Sequence, residues 1–261
     1  MVSRRKRDIN LPAPYLKRVW IEPKLVPDPD AYPFCLPFLD DNFTLEFDRA
    51  ITIIVGENGA GKSTLLEGLA VMAGFDEGGG GKGYRAVSRA GEDGGELHIA
   101  LRASWVPKVS YGWFFRAETF FSVARYLDAA GSMSADFLSY SHGEGFLRFF
   151  EERCQRQGLF IFDEPESALS PSRQMEFLKL LYRMDKSQRC QVIMATHSPL
   201  LMAYPNATLL EFSKYGLEPT KLRQTQHYRA MREFFQDPTG FVDAAIQEVE
   251  LEEREGSDER R

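Results

Sequence analysis

The sequence predicts an α/β domain: a mixed, mostly parallel sheet with a helical lobe inserted between its strands. Three observations predict it. Short apolar runs, Ile51-Thr-Ile-Ile-Val55, Leu159-Phe-Ile-Phe162 and Gln191-Val-Ile-Met-Ala195, have the composition of central strands covered on both faces. Stretches with the 3.6-residue apolar period of amphipathic helices alternate with them. A block over 112–157 reads as helical and interrupts the strand series, which marks an inserted lobe.

The elements follow in order. Leu16-Lys-Arg-Val-Trp-Ile-Glu22 alternates loosely and reads as a strand. Pro27, Pro29, Pro33 and Pro37 then break the chain into turns. Phe43-Thr-Leu-Glu-Phe47 has the period of a half-buried strand, and Ile51–Val55 follows as a central one. A helix is expected from Lys62, with Leu65, Leu66, Leu69 and Met72 inward. The glycine-rich stretch 74–95 reads as a loop and His98-Ile-Ala-Leu101 as a strand. Helical patterns run from Glu118 to about Ala130 and again after Ser141. Ser170 and Pro171 form a helix start, with the serine as cap and the proline at the first position. Ala207 to Phe212 is a further strand, and 226–236 and 239–251 are helices. We expect one domain over 1–261: a core lobe from 1–111 and 158–225, a helical lobe at 112–157, C-terminal helices at 226–251 and a disordered tail at 252–261.

Composition narrows the function classes. A chain of 261 residues with 43% hydrophobic residues can bury a real core, and its net charge of −6 supplies no broad basic field for nucleic acid. A local patch, such as the Arg4–Arg7 cluster, leaves nucleic-acid contact open. The three cysteines show no paired spacing and the four histidines are scattered, which argues against zinc or a disulfide framework. The basic N-terminus leads into no apolar run, and no apolar stretch approaches the roughly 18 residues a membrane helix needs. A cytoplasmic chain without membrane insertion is the expectation.

Gly56-Glu-Asn-Gly-Ala-Gly-Lys-Ser63 fits G-x-x-x-x-G-K-[ST], with a strand before it and an amphipathic helix after it. This predicts a P-loop NTPase core that binds nucleotide with magnesium. Gly59 and Gly61 let the backbone turn so that the N–H groups of Gly56, Glu57, Asn58, Gly59, Ala60 and Gly61 surround phosphate, aided by the helix N-terminus. Lys62 supplies a cation to the β- and γ-phosphates, Ser63 a hydroxyl to magnesium, and Thr64 a contact to the α-phosphate. Leu159-Phe-Ile-Phe-Asp-Glu164 delivers two carboxylates to a strand end: Asp163 for magnesium, Glu164 as general base toward water. His197 follows another strand, where a histidine reaches a γ-phosphate or lies in an ordinary polar loop.

Taken together these residues resemble the ABC ATPases over about residues 43 to 212. The order is P-loop at Gly56–Thr64, signature at Ser141-His-Gly-Glu-Gly145, Walker B at Phe160–Glu164, D-loop at Ser167-Ala-Leu-Ser170 and switch histidine at His197. The pattern is similar to small bacterial AAA/ABC ATPases of the soluble, RecF- or Rad50-like branch, without the long coiled coil between P-loop and signature. The resemblance implies ATP hydrolysis by a head-to-tail, ATP-dependent homodimer, in which Ser141 and Gly143 of one copy meet the ATP held by the other. It leaves room for an unidentified partner protein. Two positions depart from the family: His142 stands for a glycine and Glu144 for a glutamine. No glutamine occurs before Gln155, so the family's Q-loop glutamine is absent. Either Glu118 takes its place at magnesium, or Arg116 meets phosphate, or both belong to an ordinary helix start. Tyr15, Trp20 and Phe43 are the candidates for an adenine-stacking aromatic, against core packing. A transporter's nucleotide-binding subunit and a P-loop kinase are the alternative readings. The first is opposed by the missing glutamine, and the second leaves the signature, D-loop and His197 unexplained.

Overall fold

The computed structural model describes residues 11–82, 93–116, 142–213 and 216–258. Strands run at Leu16–Ile21 (β1), Thr44–Glu46 (β2), Ile51–Val55 (β3), Gly80–Gly81 (β4), Leu101–Trp105 (β5), Gly112–Arg116 (β6), Gly158–Asp163 (β7), Cys190–Ala195 (β8), Thr208–Ser213 (β9) and Gly216–Pro219 (β10). The α-helices are Lys62–Ala73 (α1), His142–Arg153 (α2), Pro171–Ser187 (α3), Pro199–Met202 (α4), Gln226–Gln236 (α5) and Pro238–Asp258 (α6). Two compact units result, Met1–Pro219 and Thr220–Arg261.

In the first unit the main sheet has the order β10-β9-β3-β8-β7-β6-β4. Its five inner strands are parallel, and β10 and β4 close the edges antiparallel. Residues of β3, β7 and β8 are buried along their whole length, as covered parallel strands require. Ile54 pairs with Ala195, Ala195 with Asp163, and Asp163 with Arg116, so four strands end in one row. The P-loop, Glu164 and His197 all leave from that edge. The mixed, parallel-rich α/β sheet is the predicted fold class.

A second, three-stranded antiparallel sheet, β2-β1-β5, lies against the other side of α1. Leu65, Leu66, Leu69 and Ala70 of α1 are fully buried between Val19 and Leu45 of the small sheet and Ile54 and Ile161 of the large one. The opposite face of the main sheet is aromatic. Phe115 stacks on Phe162 at 4.8 Å, and Phe150 of α2 meets both edge-on at 4.2 and 5.1 Å. Phe177 of α3 closes the group against Phe162 at 5.1 Å. Each fully buried ring contributes about 2–3 kcal/mol through lost water contact, so this cluster fastens α2 to the sheet.

Several expectations need correction. Residues 112–116, expected to open the helical block, form β6. Gly-Trp-Phe-Phe-Arg is a short apolar run whose period does not distinguish strand from helix. A Cβ on Gly112 would lie 1.9 Å from the Leu159 carbonyl oxygen, so the glycine permits the close approach of β6 to β7. His98–Leu101 is no strand: Asp93–Ile99 is a 3₁₀ segment, packed on α1, and β5 starts at Leu101. Ser170 stands at the N-cap of α3, but its hydroxyl pairs with Ser172 and caps no backbone N–H. The helix expected at 118–130 lies outside the described residues.

The second unit runs from Thr220 and holds α5 and α6. Thr225 caps α5 by accepting from the Tyr228 N–H, and Phe234 packs edge-on to Phe241 of α6 at 6.0 Å. The segment 252–258, expected without structure, continues α6. Its Glu252, Glu253, Arg254 and Glu255 are good helix formers.

Candidate functional site

The site is built at the row of strand ends. β3 is followed by the loop 56–61, in which Gly59 and Gly61 take positive φ of 77° and 92°. Only glycine adopts these at no steric cost. A Cβ at Gly61 would also come within 2.6 Å of Phe38. The loop delivers the N-terminus of α1 to a cleft of about 280 Å³, lined by Asn58, Gly59, Gly61, Lys62, Ser63, Thr64, Glu164, Tyr32 and Leu36.

Lys62 donates from Nζ to the carbonyls of Gly56 and Glu57 at 3.0 and 2.9 Å, which lays its ammonium across the loop. Burial pushes its ammonium below the usual lysine range, against the pull of Glu164 and Asp163. Ser63 donates from Oγ to Asp163 Oδ1 at 3.2 Å. The two residues come from α1 and β7, a hundred positions apart in sequence. Their oxygens form a hard donor set of the kind magnesium takes alongside nucleotide phosphates. Asp163 is buried, and a buried carboxylate edge next to a hydroxyl suits a cation. Among the described residues no three His, Cys, Asp or Glu side chains gather to hold a metal alone. A metal brought with phosphates needs only one or two carboxylates.

Glu164 has φ 47° and ψ 55°, a left-handed conformation unusual for a residue with a side chain. That turn swings its carboxylate out of the strand line toward His197. His197 Nε2 lies 3.4 Å from Glu164 Oε1. The histidine's backbone is held too: its N–H donates to Glu166 Oε1. The next residue, Ser198, donates from Oγ to Gln174 of α3, which itself donates to the Leu169 carbonyl. The D-loop segment and the His197 segment are thus tied to each other and to α3.

The structure therefore brings together Gly56, Glu57, Asn58, Gly59, Ala60, Gly61, Lys62, Ser63 and Thr64 with Asp163, Glu164 and His197. Gly143 lies in the first turn of α2. Ser141 and Glu118 lie outside the described residues. Of the three aromatic candidates, Tyr15 and Phe43 are buried in the core, and Trp20 stands on the small sheet under the Arg18 guanidinium. The aromatic residue at the cleft is Tyr32, whose hydroxyl bonds Thr64 Oγ1. Its place in the proline-rich stretch between β1 and β2 was the one available signal.

Arg116, one of the sequence alternatives for meeting phosphate, faces two carboxylates, and one of them, Glu67, escaped the sequence reading. Arg116 ends β6 opposite Asp163, with Nε 3.5 Å from Asp163 Oδ2. Its Nη1 pairs with Glu67 of α1 at 2.6 Å.

Residues 133–203 match the family model described as "AAA domain, putative AbiEii toxin, Type IV TA system", and residues 35–98 match one described as "AAA domain". The two matched spans hold the P-loop on one side and Asp163, Glu164 and His197 on the other. An OLD nuclease from Thermus scotoductus is 38% identical over 56 residues, which is 22% of this chain and 11% of that protein. This chain thus matches only about a tenth of that relative's length. Among solved structures, the SMC head domain from Thermotoga maritima aligns over 80% of this chain and 100% of its own, at 15% identity and a TM-score of 0.46. CbiO1 from Clostridium perfringens, part of an ABC transporter complex, aligns over 78% and 91% at 15% identity and a TM-score of 0.43.

Proposed function

This chain is a P-loop domain of the AAA/ABC ATPase type, and on that premise we propose that it binds ATP with magnesium and hydrolyses it, working as a head-to-tail dimer that closes around ATP. The observation that carries the reading is the meeting of Ser63 with Asp163 at 3.2 Å beside the Glu164–His197 pair at 3.4 Å. Loop N–H groups and the α1 terminus would hold the phosphates, with Lys62 as the cation among them. Ser63 and Asp163 would hold magnesium, which when bound supplies charge neutralisation at the β- and γ-phosphates.

Glu164 would accept the proton of the attacking water, and His197 would orient that water and the terminal phosphate. The left-handed backbone of Glu164 supports this role, since strained conformations concentrate at functional sites. The start of α2, carrying Gly143 and preceded by Ser141, would face the nucleotide of a second copy. No helix among the described residues is long and apolar enough to cross a membrane. We place the reaction in the cytoplasm.

The test is Glu164→Gln, followed by light scattering with and without magnesium–ATP. The expected result is a particle near 29.7 kDa without ATP and a mass twice that with it, because binding survives while water activation is lost. A monomer at saturating, verified ATP occupancy would overturn the homodimer and point to a different partner subunit.

A further inference from the structure

We propose that Glu67 is a positioning residue of the nucleotide site: it holds the Arg116 guanidinium off Asp163 and so reserves that carboxylate for the cation that accompanies the nucleotide. This rests on the proposed magnesium–nucleotide reading of the cleft.

Glu67 follows Ser63 by one helical turn, so both side chains leave the same face of α1. It is 7% exposed. A carboxylate is rarely buried so deeply unless a cation compensates it. That cation is Arg116, which ends β6 in register with Asp163. The guanidinium stands between two buried carboxylates and divides itself unequally: 2.6 Å to Glu67 Oε1, 3.5 Å to Asp163 Oδ2. The remaining oxygen of Asp163 takes the Ser63 hydroxyl at 3.2 Å.

The asymmetry has a chemical meaning. Arginine prefers a planar, two-point grip on a carboxylate. Given a neutral residue at 67, Asp163 is the carboxylate among the described residues that stands within reach of the guanidinium, and a short move would place it there. It would then compete with a divalent cation for the same oxygens. With Glu67 present, the three groups carry a net charge of −1, and the excess lies on the Asp163 side, where a cation is wanted. Glu67 does not line the cleft itself, so it acts through Arg116 and not on the ligand.

The test titrates magnesium into full-length protein with a fixed amount of a fluorescent ADP analogue, which reads binding without turnover. In Glu67→Gln, half-saturating magnesium should rise about tenfold, the scale of lost outer-shell support at metal sites. Nucleotide affinity measured in EDTA should stay at the wild-type value. Adding Arg116→Gln to the same protein should return the magnesium dependence to near wild type, since the competing cation is gone. Glu67→Asp, which keeps the charge on a shorter arm, should fall between, and serves if the glutamine variant folds poorly.

An unchanged magnesium dependence in Glu67→Gln would overturn the proposal. Equal losses with and without metal, or no recovery in the double variant, would reduce Glu67 to a structural ion-pair partner and overturn it as well. If wild-type protein binds the analogue without regard to magnesium, the reading of the cleft fails first and this inference falls with it.

Discussion

Gln191 and Leu16 exchange two hydrogen bonds: the Leu16 N–H donates to Gln191 Oε1 at 2.8 Å, and Gln191 Nε2 donates to the Leu16 carbonyl at 2.9 Å. The same Oε1 also accepts the Tyr15 N–H at 2.8 Å. A side chain from the middle of the main sheet thus imitates a neighbouring strand for β1 of the small sheet. Gln191 is fully buried, so none of these groups has water as an alternative. Gln191→Leu would leave two N–H groups and a carbonyl unpaired and should cost about 3 kcal/mol. Urea unfolding should show a lower midpoint with an unchanged slope. A midpoint equal to wild type would mean that the sheets are joined by apolar packing alone.

Thr52 offers the opposite case. It lies in β3, is 1% exposed, and its Oγ1 has no hydrogen-bond partner among the described residues. Valine has the same shape without the buried hydroxyl, so Thr52→Val should stabilise the protein by about 1 kcal/mol. Thermal unfolding checks this, and a lower melting temperature would reveal a partner for the hydroxyl.

Burial raises the Glu166 carboxyl above its ordinary range, although hydrogen bonds from the His197 N–H and Thr196 pull the other way. The sign follows from linkage. A raised folded-state pKa means that the folded protein holds this proton more tightly than the unfolded chain. Stability from this group is complete below the unfolded value near 4.5 and is lost as pH rises through the folded one. Glu166→Gln keeps an acceptor for the His197 N–H and removes the charge. Its melting temperature should exceed wild type at pH 7 to 8, with the gain shrinking as pH falls toward 4.5. A gain independent of pH would rule out this titration as its source.

Asp163→Asn keeps an oxygen for the Ser63 hydroxyl and removes the charge offered to a metal. The variant should fold with a melting temperature close to wild type, while phosphate release from ATP falls by at least about a hundredfold, as expected when a charge-stabilising group is lost. Retained turnover would place the metal carboxylate elsewhere.

The parts of the fold legible in the sequence are those specified within one segment. Gly56–Thr64 carries its own turn chemistry, flanked by an apolar strand and a helix, and Asp163-Glu164 announces itself as two charges ending an apolar run. The pairing of Arg116 with Glu67 stayed hidden for the converse reason. Each belongs by local pattern to something ordinary, an aromatic stretch and an amphipathic helix, and only the pairing of β6 with β7 brings them together. Tyr32 is similar: its approach to Thr64 depends on how a proline-rich connection folds back over α1. The strand expected at His98–Leu101 failed because packing against α1 sets that segment's path, which period alone does not encode.

The row of Ile54, Ala195, Asp163 and Arg116 makes the chain unequally tolerant of changes in length. One residue inserted within Gly158–Asp163 would turn Asp163 to the opposite face of the sheet, because side chains alternate along a strand. One inserted among Lys108, Val109 and Ser110 enters at the far end of β6 and leaves the row untouched. A scan of single-codon insertions would therefore mark the edge that carries Ser63, Asp163 and His197 as a band of intolerance, drawn by geometry before any chemistry is assayed.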